Sequence, residues 1–128
     1  MEKETINPQG YKDLKAYQLA YEPAMRVFEL SKSFPKEERY ALTDQIRRSS
    51  RSIAANLAEG YRKKQYLKMF LSKLADCDGE IAETHTWIDF AYDCGYLNQE
   101  FYRALTNSYD ELGKIFGGMI AKAERFSE

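Results

Sequence analysis

The side chains with the clearest chemical potential in this sequence are a run of cations in the middle of the chain. Eight basic residues and one acid, Glu59, fall between Arg47 and Lys73, which gives this segment a net charge of +7. The whole chain carries a net charge of −1, so the remainder sums to −8. A local concentration of guanidinium and ammonium groups favours the binding of a polyanion, and nucleic acid is the obvious one.

Seven of these cations are the candidate nucleic-acid-binding site, because they fall on one side of a predicted helix and on the turn and helix start that follow. This set, called the basic surface below, is Arg47, Arg48, Arg51, Arg62, Lys63, Lys64 and Lys68. Tyr61 and Tyr66 flank the turn and could stack on unpaired bases. Packing inside the protein or between subunits is the commoner use of such aromatic residues, and a basic run is usually only a solvated helix face.

A second hypothesis comes from the acids that follow the basic segment. The later part of the predicted third helix has no Lys or Arg and carries Asp76, Asp78, Glu80, Glu83, Asp89 and Asp93. Basic and acidic ends of neighbouring subunits could meet head to tail, which would make the protein an interaction scaffold without nucleic-acid binding. Replacing Arg47, Arg48 and Arg51 with Gln should weaken nucleic-acid binding under the first hypothesis and dissociate the oligomer under the second.

The sequence gives little support to catalysis. His85 is the single histidine, so the paired Glu-x-x-His motifs of a di-metal bundle cannot form. Cys77 and Cys94 lie outside any CxxC motif and about 25 Å apart along one predicted helix, too far for a disulfide. We therefore expect no enzyme activity, no cofactor and no bound metal. Free thiols and the lack of a long apolar run predict a soluble cytoplasmic protein that does not enter a membrane.

The elements that must position the basic surface are all predicted to be helices. The 128 residues correspond to one domain, with a flexible N-terminal segment at residues 1–10 and a helical bundle at residues 11–126. We predict a first helix over residues 11–33 that is kinked at Pro23. Its apolar stripe at heptad spacing is Leu14, Tyr17, Tyr21, Ala24 and Phe28.

The next three helices follow from breaks and periodicity. The second begins after Pro35, carries an apolar stripe from Leu42 to Leu57 and ends at Gly60 as a C-terminal cap. The third covers residues 64–94, and its stripe is Leu67, Phe70, Leu74, Cys77, Ile81, Thr84, Ile88 and Ala91. Gly95 ends it, and Asn98 caps the fourth. Because the connections are short, we predict an all-α, antiparallel up-down-up-down four-helix bundle with long helices.

The segment from Phe34 to Gly60 resembles the four-helix bundle proteins called 23S rRNA intervening-sequence proteins. Their pattern, FPxEExxxLxxQIRR followed by SI and NxAEG, is matched by Phe34, Pro35, Glu37, Glu38, Leu42, Gln45, Ile46, Arg47, Arg48, Ser52, Ile53, Asn56, Ala58, Glu59 and Gly60. The likeness covers roughly residues 10–125 and includes Gly95, Tyr96 and Leu97. Departures from the pattern are Pro23, Arg51 and Glu80.

The resemblance implies a bundle that assembles as a homopentameric ring with a non-catalytic, nucleic-acid-associated role. In one family setting, the gene lies within an intervening sequence of the large ribosomal RNA gene. In the other, similar bundles are accessory proteins of diversity-generating retroelements that contact reverse transcriptase and nucleic acid. The implied partners are therefore further copies of this chain, RNA or DNA, and a reverse transcriptase, and the sequence leaves the choice of setting open.

Overall fold

Four helices form the described part of the chain, residues 10–125, in the computed structural model. They are α1 (Lys15–Ser31), α2 (Asp44–Arg62), α3 (Leu67–Asp93) and α4 (Gln99–Arg125). A 3-10 turn, Tyr11–Asp13, precedes α1, and the connection from α1 to α2 contains a 3-10 turn, Lys36–Glu38, and a π-helical turn, Arg39–Thr43. Residues 10–125 contain no strand, so the all-α prediction is confirmed.

The contacts between helices show the bundle arrangement. Residue numbers rise along α2 as they fall along α3: the hydroxyl oxygens of Ser49 and Thr84 are 2.8 Å apart, and the Cys77 thiol donates to the Ile53 carbonyl oxygen at 3.4 Å. The neighbours α1 and α2, α3 and α4, and α1 and α4 also pack together, the last pair least closely. Sequential helices therefore pack together and form the predicted four-helix bundle, with α2 antiparallel to α3.

Large apolar residues spaced three or four apart identify the core faces of α2 and α3 correctly. Ile46, Ile53 and Leu57 are buried on α2, and Leu74 and Ile88 are buried on α3. None of the helices over residues 10–125 is long and apolar enough to cross a membrane.

The predicted core stripe of α1 is only partly correct: Ala24 is buried as predicted and Leu14 and Tyr17 pack against the core, but Tyr21 does not. The buried side chains are mainly small ones, including Ala16, Ala20, Ala24 and Val27, whereas Tyr21 is 52% exposed. Small residues allow one helix to approach another closely, so α1 packs through its alanines and leaves its tyrosines at the rim of the core. Pro23 lies inside α1, which continues on both sides of it, and the kink there stays a prediction.

The end of α2 also differs from the prediction. The helix continues through Gly60 to Arg62, so Gly60 is not a C-terminal cap. A Cβ atom on Gly60 would lie 2.9 Å from the Cβ of Lys73 on α3. The glycine is therefore needed because α2 and α3 approach each other closely at this point.

The predicted C-terminal end of α3 and the predicted N-terminal cap of α4 are confirmed, whereas α3 begins at Leu67 and not at residue 64. Gly95 has a φ of +85°, and the Tyr96 backbone N–H donates to the Ala91 carbonyl oxygen at 2.8 Å, which closes the end of α3. The Asn98 Oδ1 atom accepts a hydrogen bond of 2.7 Å from the Phe101 backbone N–H and caps α4. Residues 1–9 of the predicted N-terminal segment, and residue 126, lie outside the described residues.

Candidate nucleic-acid interface

The first arginine of the basic surface joins α2 to α1. The Nε–H of Arg47 donates to Ser31 Oγ at 2.7 Å, and its guanidinium carbon lies 4.8 Å from the ring centre of Phe28. Ser31 is buried and Arg47 is half-buried. Both contacts use the guanidinium to hold two helices together, which leaves less of it available for a ligand.

Arg48 points to the opposite neighbour, α3. Its guanidinium pairs with Glu83 and lies 3.5 Å from Glu80 Oε2. The indole N–H of Trp87 donates to the same Glu83 carboxylate at 3.0 Å. The hydrogen bond from Arg48 is the largest cause that lowers the pKa of Glu83, and the same bond raises the pKa of Arg48. Arg48 is therefore the centre of an ion-pair network between α2 and α3.

Four of the five other predicted cations are exposed to solvent. We call these four the exposed cation group: Arg51, Arg62, Lys64 and Lys68. Within residues 10–125, no carboxylate forms an ion pair with any of the four. Lys63 lies between Arg62 and Lys64 and is half-buried. The structure thus separates Arg47 and Arg48 from the rest of the predicted basic surface.

The exposed cation group extends from the middle of α2 to the first turn of α3. Arg51 and Arg62 are on one helix, about 16 Å apart along its axis. The turn after Arg62 is closed by hydrogen bonds from Lys63 N–H to the Gly60 carbonyl at 2.9 Å and from Tyr66 N–H to the Lys63 carbonyl at 2.8 Å. These hydrogen bonds hold the backbone of the turn in one conformation, which fixes the positions of the Cα atoms that carry its cationic side chains.

The single acid of the basic segment, Glu59, forms an ion pair across two helices. Its carboxylate pairs with Lys73 Nζ of α3 at 2.6 Å. Lys73 also donates to Asn56 Oδ1 at 3.3 Å. The hydrogen bond from Lys73 is the largest cause that lowers the pKa of Glu59. Glu59 is therefore paired with Lys73, and Arg62 forms no ion pair with a carboxylate of residues 10–125.

Two features could not be predicted from the sequence, because each is formed by residues of two helices. His85 Nε2 lies 3.2 Å from Asp110 Oδ1 of α4, beside a cleft of about 380 Å³ between α3 and α4. This is a pair, and residues 10–125 contain no cluster of three or more His, Cys, Asp or Glu suited to a metal.

The second missed feature is a groove between α1 and α4 with a volume of about 1320 Å³. Tyr21, Met25 and Phe101 line it and remain exposed in the single chain. Large apolar side chains grouped in a groove are typical of a surface that another protein covers. The apolar pattern of α1 predicted that Tyr21 lies in the core, so the groove was not predicted.

The chain matches a known protein family over most of its length. The family model for the 23S rRNA-intervening sequence protein matches residues 12–118. The chain belongs to this family. The whole basic surface lies within the matched residues, as do Glu80 and Glu83, the carboxylates that hold Arg48.

A solved structure supports the membership. The chain is similar to a protein of unknown function from the S23 ribosomal protein family of Bacteroides thetaiotaomicron, with 27% sequence identity and a TM-score of 0.74. The match covers 82% of this chain and 97% of the other. Comparison with curated proteins gives no match.

Proposed function

We propose that this protein is a non-catalytic, cytoplasmic, nucleic-acid-associated bundle that binds RNA or DNA through its exposed cation group. The observation that carries the proposal is the pairing pattern: the acid within the basic segment is held by Lys73, while Arg51, Arg62, Lys64 and Lys68 have no ion pair with a described carboxylate. Surface cations without counter-charges are suited to phosphate groups. The name of the family, which refers to ribosomal RNA, is consistent with such a ligand.

The binding expected from this group is electrostatic. Each phosphate neutralised by a Lys or Arg releases counterions, and affinity falls as salt rises. Contacts between cations and phosphate groups carry no direct sequence information, so the proposal includes no sequence specificity. The proposal includes no catalytic role.

Assembly would strengthen this binding. We propose that the protein is a homo-oligomer, with the pentameric ring that the family resemblance implies, because the groove between α1 and α4 leaves Tyr21, Met25 and Phe101 exposed in one chain. A ring repeats the exposed cation group around its axis, so several weak contacts act together on one strand. A reverse transcriptase remains a proposed partner for the retroelement setting.

The same groove favours a second candidate function, that of a protein-interaction scaffold. Under this alternative, the apolar groove and the segregated charges serve only assembly, and nucleic acid is not a ligand. Charge between subunits would then set register more than affinity. The two candidates differ in what the exposed cation group contributes.

A charge-matched pair of variants tests the proposal. The first variant replaces Arg51, Arg62, Lys64 and Lys68 with Gln, and the control replaces Lys36, Arg103, Lys114 and Lys122, four exposed cations elsewhere, with Gln. Both remove four positive charges. Binding of a fluorescein-labelled mixed-sequence RNA at about 50 mM salt should weaken at least about tenfold in the first variant and much less in the control. Oligomer mass by light scattering should not change.

Two results would contradict the proposal. Equal losses in both variants would mean that only net charge matters and that the exposed cation group is not a site. Dissociation of the oligomer in the first variant alone would support the scaffold, because these cations would then bind a neighbouring subunit.

A further inference from the structure

An exposed aromatic side chain lies inside the exposed cation group. Tyr66 is 57% exposed at the start of α3, and Met69, one turn later, is 47% exposed. Arg62, Lys64 and Lys68 surround them in sequence. A large apolar surface within a strongly charged region is unusual for a face that only meets water.

Each of the other large exposed aromatic side chains among residues 10–125 lines the groove or contacts another ring or a cation. Tyr21 and Phe101 line the groove between α1 and α4. The ring of Phe90 lies 5.9 Å from that of Trp87, and the guanidinium of Arg39 lies 5.3 Å from the ring centre of Tyr40. Within residues 10–125, no aromatic ring or cation packs on the ring of Tyr66.

Tyr61, the other tyrosine of the turn, is less suited to a ligand. The ammonium group of Lys64 lies 3.9 Å from the ring centre of Tyr61, which is half-buried. That cation–π contact covers one face of the ring and places Lys64 beside the turn. Tyr66 therefore has the ring that is open to stacking, while Tyr61 holds Lys64, which is two residues before Tyr66 in sequence.

We propose that the site takes single-stranded nucleic acid, with Tyr66 stacked on an unpaired base and Arg62, Lys64 and Lys68 against the flanking phosphates. This inference rests on the proposed function and adds the form of its ligand. In a duplex the faces of the bases are stacked on one another. A duplex would therefore contact the cations through its phosphates but would offer no base face on which Tyr66 could stack. A single strand offers both phosphates and base faces, and stacking tolerates any base.

The experiment compares two forms of one sequence and three variants. A labelled single-stranded RNA and the same RNA paired with its complement are titrated by fluorescence anisotropy at one fixed low salt concentration. The variants are Tyr66→Ala, Tyr66→Phe and Tyr40→Ala. Tyr40 is the matched control, because it is 71% exposed but lies near Glu37, Glu38 and Asp44 in sequence.

The wild type should bind the single strand more tightly than the duplex. Tyr66→Ala should weaken single-strand binding about tenfold and leave duplex binding unchanged, since a stacked base contributes roughly that much. Tyr66→Phe keeps the ring and should bind like the wild type, as should Tyr40→Ala. Circular dichroism and light scattering on every variant show whether the bundle and its oligomer are intact.

The possible failures are distinguishable. Equal binding of both forms with no effect of Tyr66→Ala overturns the stacking inference, while the proposed electrostatic function stands. An equal loss for both forms, or a change in oligomer mass, also overturns it, because Tyr66 would then act through folding or a subunit contact. No binding of either form by the wild type overturns the proposed function itself.

Discussion

Arg48 and Arg51 show how neighbouring groups decide what a surface arginine does. They are three residues apart on α2, yet Arg48 pairs with two carboxylates of α3. Arg51 forms no ion pair within residues 10–125, and its guanidinium lies 5.5 Å from the centre of the Phe28 ring. The sequence identified both as basic-surface residues because local spacing places them on similar faces. It could not separate them, since Glu80 and Glu83 are 32 and 35 residues away from Arg48.

The two arginines should therefore give opposite results when each is replaced with Gln. Arg48→Gln should lower the free energy of unfolding by about 1 kcal/mol, because it leaves Glu80 and Glu83 without their cation, and should change RNA affinity little. Arg51→Gln should change the free energy of unfolding by less than about 0.5 kcal/mol and should weaken RNA binding. Urea denaturation and anisotropy measure both. Loss of RNA binding in Arg48→Gln without loss of stability would contradict this assignment.

Titratable residues also predict a stability maximum between acid and strongly alkaline pH. The lowered pKa of Glu83 stabilises the fold above the ordinary Glu pKa and is lost as pH falls through the folded pKa. Burial raises the pKa of Cys77 from 9.0 to about 12, and the hydrogen bond to Glu38 raises the pKa of Tyr96 from 10.0 to about 12. These two contributions are present below pH 9 and are lost between about pH 9 and 12.

Thermal melts across pH measure both limbs. In Arg48→Gln, the acid limb should become shallower because Glu83 no longer has a lowered pKa from its ion pair. An unchanged acid limb in that variant would show that the Arg48–Glu83 pair does not contribute to acid stability.

At the scale of the helices, prediction succeeded where large apolar residues recur at steps of three and four, as in Leu74, Cys77 and Ile81 of α3. It failed where packing uses small side chains, because Ala16 and Ala20 give a weak periodic signal beside Tyr17 and Tyr21. The prediction that Gly60 caps α2 failed for a related reason. A glycine near a helix end is read as a cap, whereas only the position of Lys73 on α3 shows that it permits close packing.

Gly60→Ala should therefore destabilise the protein although alanine favours helices. The added methyl group would meet Lys73 Cβ at 2.9 Å, an atom fixed to its backbone, so α2 and α3 must move apart. Overpacking should cost about 1–3 kcal/mol against a gain in helix propensity of about 1 kcal/mol, so we expect a net loss of up to about 2 kcal/mol in the free energy of unfolding. Urea denaturation measures the change.

Gly117→Ala is the matched control in α4. Gly117 is exposed, and a Cβ atom there would have nothing within 4 Å. The control should be neutral or stabilising by up to about 1 kcal/mol. Destabilisation of both variants to the same extent would show that the close approach of α2 and α3 is not what requires Gly60.

At the scale of the whole molecule, short connections and four periodic segments were enough to predict the four-helix bundle. The charge segregation was also visible in the sequence, and it led to the exposed cation group. The sequence did not show which of these charges form ion pairs within the protein, because Glu59 of α2 pairs with Lys73 of α3. The groove between α1 and α4 and the His85–Asp110 pair likewise exist only once the helices pack.

The central claim, that the exposed cation group binds nucleic-acid phosphates, is tested most directly by a salt series. RNA affinity of the wild type is measured by anisotropy from about 50 to 300 mM salt, with oligomer mass recorded in parallel by light scattering. For a single strand, the slope of log affinity against log salt should be about −0.7 for each phosphate contacted, so about −2 to −3 for three or four contacts. Absence of binding at the lowest salt, or an affinity independent of salt, would contradict the account.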